Sequence, residues 1–322
     1  MKVALDVSPL RLTRAGSARY VEGLRRELPK HVELRELAWG GSGRATAAIR
    51  DVGWYPLGLP RTARGADVLH CPTFRAPLRS FVPMVVTVLD LAALRHPELF
   101  NRWNRTYSRL TVPRVVRAAR RVIAISEFTK RELVELLDVD PDNVAVIGVP
   151  PLRDLSPDGP SADGDYVLAV GTLEPRKNLE RTAEAASRAG VELRVVGARG
   201  WGGVSPNGVR WLGEVGDEEL AQLLRGARAL VYPSLYEGFG IPILEAMSVG
   251  TPVVTSRGGA TEEVAGGAAV LVDPLDAASI AAGITDADRR RDELRALGLA
   301  RARSFSWDDV ARRTVDVYEA AL

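Results

Sequence analysis

Short, nearly unbroken apolar runs alternate with stretches of helical periodicity along the whole chain. KVALDVS, VELREL, ADVLHC, MVVTVLD, RVIAIS and NVAVIGV occupy the first half, and YVLAVG, ELRVVG, VRWLG, ALVYPS, PVVTS and AVLVD the second. A strand with one wet face alternates apolar and polar side chains; a strand covered on both faces does not. Runs of this kind with helices between them predict an α/β protein built of two Rossmann-like, doubly wound parallel-sheet domains. Residues 150–165, PPLRDLSPDGPSADGD, break the pattern with proline, glycine, aspartate and serine and read as a linker. The expected organisation is residues 1–155 as a first domain, residues 164–305 as a second domain, and residues 306–322 as a terminal helix that no strand follows. Gly40 to Gly65 is rich in Gly, Pro and Arg and weakly periodic, so a loop with at most one short helix is expected there. Ligands of doubly wound sheets bind at the carboxyl ends of the strands, which places the expected site in a cleft between the domains.

The densest candidate chemistry is LYEGFGIPILEAMSVGTPVV, Leu235 to Val254. Glu237 and Glu245 stand eight positions apart around a Gly-Phe-Gly-Ile-Pro turn that follows an apolar strand. Pro242 suits the first turn of a helix, and Gly250 and Pro252 end that helix early. The N–H groups of Ile243, Leu244 and Glu245 are then expected to be free to face an anion, with the Glu245 carboxylate beside them to accept hydroxyl protons. Each glutamate alone is ordinary dipole complementation. GTLEPRKN, Gly171 to Asn178, follows the strand YVLAV and sets Arg176 and Lys177 at a strand-to-helix turn. A bidentate fork and a point charge together suit a pyrophosphate. A lone basic pair is ordinarily a solvated surface feature; the pair gains meaning from the glutamates in the same half.

Composition narrows the classes. The 322 residues, 46% apolar and 26% charged, are those of a globular chain long enough for two cores. Cys71 is the single cysteine, so no intrachain disulfide forms and a reducing compartment is expected. No run of 18 apolar residues occurs and no secretory segment is visible, so the expected location is cytoplasmic, with at most peripheral contact at the inner face of the membrane. The net charge of +2 conceals an asymmetry: residues 1–160 carry 25 Lys+Arg against 17 Asp+Glu, and residues 161–322 carry 18 against 24. No nucleic-acid motif accompanies the basic half, which favours an anionic membrane or acceptor over nucleic acid as its partner. From Leu99 to Ser126 stand seven arginines and no acid. Arg102, Arg105 and Arg109 are expected on one helical face, open to an anionic membrane, with Trp103, Tyr107 and Leu110 on another.

Several other motifs carry no chemistry. GARGWGG, Gly197 to Gly203, lacks the G-x-G-x-x-G spacing, and Pro206 and Asn207 follow where a helix would start. The Asp-x-Asp triplets Asp138–Asp140, Asp163–Asp165 and Asp286–Asp288 stand at a helix end, in the linker and between helices, where turn chemistry explains them. Three scattered histidines and one cysteine offer no zinc site, so neither metal nor cofactor is expected.

The pieces VGTLEPRKNL, WLGEVGDEELAQLLRGARALVYPSLYEGFGIPILEAMSVGTPVVTS, EEVAGGAAVLVDP and FSWDDVARRTVDVYEAAL resemble, in order, the second domain of the family-4 retaining glycosyltransferases of the GT-B fold. The resemblance implies that Arg176 and Lys177 hold a donor diphosphate, that Glu245 takes the ribose hydroxyls and that Glu237 meets the donor sugar. It also implies donor contacts from Gly171 and from the backbone of Gly238, Phe239, Gly240, Ile241 and Leu244, and a terminal helix that packs on the first domain. The family retains anomeric configuration without metal, the leaving phosphate itself deprotonating the acceptor. LDVSPLRLTRAGSARYVEGL, LHCPT, VVTVLDLAALRHPELF and AISEFTKREL resemble its first domain, with two departures. Ala18 stands for the second glycine of the loop that includes Gly16 and Ser17, and Leu89 for the histidine that precedes Asp90. Gly16, Ser17, Leu89 and Asp90 are thereby expected on the acceptor side. Catalytic roles are implied for Glu237, Arg176, Lys177 and Asp90. The expected activity is transfer of a hexose or deoxyhexose from a nucleotide-sugar to a saccharide or lipid-linked acceptor. A non-catalytic nucleotide-sugar-binding subunit, and an epimerase or phosphorylase on the same fold, stay open as alternatives.

Overall fold

The computed structural model describes residues 1–12, 16–41, 43, 46, 49–100, 102–152, 155–200, 203 and 207–322, and of Trp103 and Asn104 the backbone alone. The chain divides into two compact units, Met1–Leu152 with Ser306–Leu322, and Arg153–Phe305.

In the first unit β1 (Lys2–Asp6), β2 (Glu33–Leu37), β3 (Val68–Cys71), β4 (Met84–Val88), β5 (Arg121–Ala124) and β6 (Val144–Val146) form one sheet in the order β2-β1-β3-β4-β5-β6. Every pairing is parallel. β3 and β4 are buried along their whole length, which is why VLHC and MVVTV carry no alternation. The strand order reverses between β1 and β3, so the loops after these two strands diverge and leave a crevice at their carboxyl ends.

The helix Trp307–Glu319 belongs to this unit although it ends the chain. Ser306 caps it by accepting the Asp309 N–H. The Trp307 ring fills the space beside Gly23 where any side chain would clash, a Cβ there lying 2.2 Å from the ring. Its other end is fixed by a buried polar chain. The Tyr318 hydroxyl is 2.7 Å from His70 Nδ1, His70 Nε2 is 2.9 Å from Thr87 Oγ1, and that hydroxyl is 3.1 Å from Tyr20 Oη. Burial pushes the His70 imidazole down to about 3, so it is neutral and acts as a hydrogen-bonding bridge.

One expectation needs correction here. The stretch Gly40 to Gly65 holds a π-helix, Arg50–Gly58, that runs directly into the α-helix Leu59–Thr62. Pro56, Gly53 and Gly58 hide any period in the sequence, but Tyr55, Leu59 and Ala63 are buried in the core, and that burial outweighs poor propensity. On the helix Arg102–Ala118, Arg102, Arg105 and Arg109 are exposed, and so is Leu110, expected on another face with Trp103 and Tyr107. The buried face runs through Ser108, Val112, Val115 and Val116, whose packing sets the phase of the helix. The Trp103 side chain lies outside the described residues.

The second unit repeats the architecture. β7 (Tyr166–Val170), β8 (Glu192–Val196), β9 (Val209–Gly213), β10 (Leu230–Tyr232), β11 (Val253–Ser256) and β12 (Val270–Val272) pair in the order β12-β11-β10-β7-β8-β9, all parallel. The reversal lies between β7 and β10. Among the described residues no helix is long and apolar enough to cross a membrane.

Candidate functional site

The loops after β7 and β10 leave the sheet at its reversal point, and their backbones are joined there by the Leu235 N–H donating to the Arg176 carbonyl at 2.8 Å. The β7 loop is shaped by Glu174, the 3-10 turn Pro175–Lys177 and Asn178 in the left-handed conformation. The Asn178 amide donates to the carbonyls of Pro233, at 3.0 Å, and Pro274, at 2.6 Å, which pins the turn to two other loops. Gly197, at the end of β8, lies so near this loop that a Cβ would stand 2.0 Å from the Gly171 carbonyl oxygen.

This scaffold brings four charged side chains and a phenol together. Glu237 Oε2 accepts from Arg176 Nη1 at 2.7 Å, and Glu237 Oε1 accepts from Lys177 Nζ at 2.5 Å and from the Tyr232 hydroxyl at 2.8 Å. Lys177 Nζ is also 2.6 Å from the Tyr232 oxygen, and Arg176 Nε is 2.6 Å from Glu174 Oε1. Burial alone would raise the Glu237 pKa, but Lys177 and Arg176 outweigh it and draw the carboxyl down to about 2. Burial pushes the Lys177 ammonium below its ordinary value against the pull of Glu237, and burial with Glu237 pushes the Tyr232 phenol up. Two cations balanced by two carboxylates make a neutral cluster in this state. An incoming dianion can therefore exchange for Glu237 as the partner of Arg176 and Lys177, and the displaced carboxylate becomes free to accept hydroxyl protons.

The expected residues fall into distinct positions. Arg176, Lys177 and Glu237 meet directly, and Gly171 lies beside them, a Cβ there falling 3.0 Å from the Lys177 side chain. Gly240 caps the following helix, Ile241–Ser248, with a φ of 112° that favours glycine. The amides were expected free, but Ile243 N–H donates to the Gly240 carbonyl at 2.9 Å, because the left-handed cap turns that oxygen back into the first turn. Phe239 is buried edge-on against Phe305, 5.9 Å between centroids, and Leu244 is fully buried, so neither side chain faces outward. Glu245 is likewise buried, 1% exposed, whereas its expected position was a cleft surface. The short helix carries it inward with Ile243, Leu244, Ala246 and Met247. Sequence reasoning passed over Glu174, Tyr232 and Asn178. The first and last stand inside GTLEPRKN and the tyrosine ends ALVYPS, so position after a strand was the one available signal.

In the first unit a cavity of about 440 Å³ opens at the corresponding reversal. Pro9, Leu12, Phe74 and Leu89 form an apolar wall, and Ser17, Arg50, Thr73, Arg75 and Asp90 supply the polar groups. Asp90 Oδ1 accepts the Ala92 N–H at 3.1 Å, which orients the carboxylate. Gly16 begins the helix Gly16–Glu27, and Ala18 is buried within it. Arg50 and Arg75 gave no signal in the sequence, the former lying in the stretch read as a loop.

The remaining motifs play local parts. Leu173 and Arg199 form an isolated parallel bridge, and Trp201, Gly202 and Pro206 lie outside the described residues. Asp140 accepts the Asp142 N–H, Asp165 faces Arg228, and Asp286 faces Arg289 and Arg290. Among the described residues no group of three His, Cys, Asp or Glu side chains is placed to hold a metal ion.

Residues 15–149 match the family described as Glycosyltransferase Family 4, and residues 164–287 the one described as Glycosyl transferases group 1. The O-antigen chain mannosyltransferase B of Escherichia coli is 32% identical over 282 residues, covering 78% of this chain and 74% of that protein. The MMP alpha-(1->4)-mannosyltransferase of Mycolicibacterium hassiacum is 33% identical over 235 residues, covering 65% of this chain and 56% of its own length. Two solved structures share the fold. Sucrose-phosphate synthase from Thermosynechococcus elongatus superposes with a TM-score of 0.82 at 19% identity, covering 99% of this chain and 98% of that one. Anabaena HepE in complex with UDP-glucose gives 0.74 at 18% identity, covering 98% of each.

Proposed function

Since the chain belongs to the family-4, group 1 glycosyltransferases of the GT-B fold, we propose that it moves a hexose or deoxyhexose from a nucleotide-sugar to a saccharide or lipid-linked acceptor. The observation that carries this reading is the Arg176–Glu237–Lys177–Tyr232 cluster at the reversal point of the second sheet. Diphosphate oxygens take the two cations, Glu237 turns to the sugar hydroxyls, and Glu245 takes those of the ribose. As the glycosidic bond breaks, negative charge grows on the leaving diphosphate, and preorganised cations stabilise that charge more than the ground state. Arg176 and Lys177 fill the role a divalent ion would otherwise have, so the reaction proceeds without metal. The departing phosphate removes the acceptor proton from the same face, and the configuration is retained. The acceptor occupies the cavity of the first unit, where Asp90 and Ser17 bind its hydroxyls and Leu89 and Phe74 its apolar face.

A thermal-shift panel of UDP-, GDP-, ADP- and dTDP-sugars tests the donor: a true donor at 100 times its dissociation constant stabilises by about 2.7 kcal/mol. No shift with any of the four would remove the donor reading. Proton NMR of the product reports its anomeric configuration, and an inverted product would refute retention. The exposed Arg102, Arg105 and Arg109, with Leu110 beside them, are proposed to touch an anionic membrane, each arginine contributing about 1 kcal/mol. Equal sedimentation with neutral and anionic vesicles would return this helix face to solvent.

A further inference from the structure

The cavity of the first unit is walled by a cation that the proposed reaction leaves without a task. Arg50 is 4% exposed, yet its one hydrogen bond among the described residues is from Nε to Asp51 Oδ1 at 3.3 Å. Its two terminal nitrogens take no partner there, on a side chain that lines the cavity. These nitrogens are not sealed from solvent, so the fork opens to the cavity, where ligand oxygens can take the place of water. Arg75 lines the same cavity and donates from Nη1 to the same Asp51 oxygen at 2.8 Å, its guanidinium 5.3 Å from the Tyr107 ring centroid. Two guanidinium groups thus share one carboxylate. Asp6 is the other carboxylate that Arg50 feels; its Oδ1 accepts from the Ser8 N–H and hydroxyl, and burial raises it to about 6. The Thr73 hydroxyl accepts the Arg75 N–H and keeps its own proton to donate.

We propose that Arg50 and Arg75 bind an anionic group, a phosphate monoester or a carboxylate, carried by the acceptor saccharide. The planar fork of Arg50 fits two oxygens of either group, Arg75 supplies the second charge, and Asp90 and Ser17 remain for the sugar hydroxyls. This rests on the reading of the first unit as the acceptor side.

The test uses three probes, glucose, glucose 6-phosphate and glucuronate, titrated calorimetrically at low salt into the whole protein. Wild type should bind at least one anionic sugar ten times or more tighter than glucose, and the stronger of the two identifies the group. Arg50→Gln and Arg75→Gln should each reduce that preference to threefold or less while glucose binding stays as it was. Arg50→Lys, which keeps the charge and loses the fork, should fall between. Arg75 is less buried than Arg50, so its variant reports even where Arg50→Gln fails to fold. Arg176→Gln should keep the full preference, because that residue belongs to the other unit. Equal affinities in wild type, no binding of any probe, or a preference that survives in both glutamine variants would overturn the proposal. So would its loss in Arg176→Gln, which would assign the anion to the second unit. Anion preference in a wild type that answers to no nucleotide-sugar would remove the donor reading and leave this site standing.

Discussion

Replacing Glu237 by glutamine tests whether the charged cluster is held together as its geometry implies. The carboxyl is drawn from its ordinary 4.5 to about 2 by Lys177 and Arg176 against the cost of burial. That shift corresponds to about 3 kcal/mol of stability at neutral pH. The folded pKa lies below the unfolded one, so the contribution is complete above about pH 5 and is lost as pH falls through 2. By pH 3 roughly half of it is gone. Glu237→Gln keeps the shape but leaves Lys177 and Arg176 with Glu174 as their one carboxylate neighbour in the cluster, and breaking a buried pair in this way costs about 3–5 kcal/mol. Urea unfolding of both proteins at pH 7, 5, 4 and 3 should therefore show a gap of about 3 kcal/mol that narrows by roughly 2 at the lowest pH. A gap below about 0.5 kcal/mol at pH 7, or one that does not change with pH, would refute the reasoning and make the cluster a loosely solvated set of charges.

Arg176→Ala and Lys177→Ala should each lower turnover by about 10²–10³ with little change in the Michaelis constant, as expected of groups that act on developing charge. A raised Michaelis constant with intact turnover would make either residue a uniform binder, and a strict need for magnesium or manganese in chelator-treated enzyme would refute metal independence. Glu245→Ala should weaken nucleotide-sugar binding by about 1.5–3 kcal/mol in calorimetry. Because Glu245 is buried, Glu245→Gln serves as the packing control, and unchanged affinity in both variants would remove the ribose assignment. Leu89→His sets an imidazole into the apolar wall made with Leu12 and Phe74, against the proposed apolar face of the acceptor, and should reduce turnover about tenfold. Equal or higher turnover would show that a hydroxyl is waiting there for a hydrogen bond.

The central strands and their parallel, doubly wound arrangement were legible in the sequence because MVVTV and YVLAV carry no polar residue on either face except Thr87, while edge strands such as ELREL were placed by their position between helices. Covered strands need that composition, and one residue after another records it. The candidate site was legible as far as strand-end position allows. Glu237, Arg176 and Lys177 were recognisable as charged residues at turns; that one carboxylate binds both cations and the Tyr232 phenol depends on β7 and β10 being neighbours, which no local pattern states. Tertiary burial also decided the π-helix at Arg50, where Tyr55 and Leu59 override glycine and proline, and the phase of the arginine helix, where Val112 and Val115 turn Leu110 outward. It placed Arg50 with an empty fork against a cavity, in a stretch whose sequence reads as loop. The sequence by itself determined the elements and their class, because periodicity and propensity act over a few residues. The tertiary structure alone decided the partners of each charge, because those distances are set by strand order and packing between residues far apart in the chain.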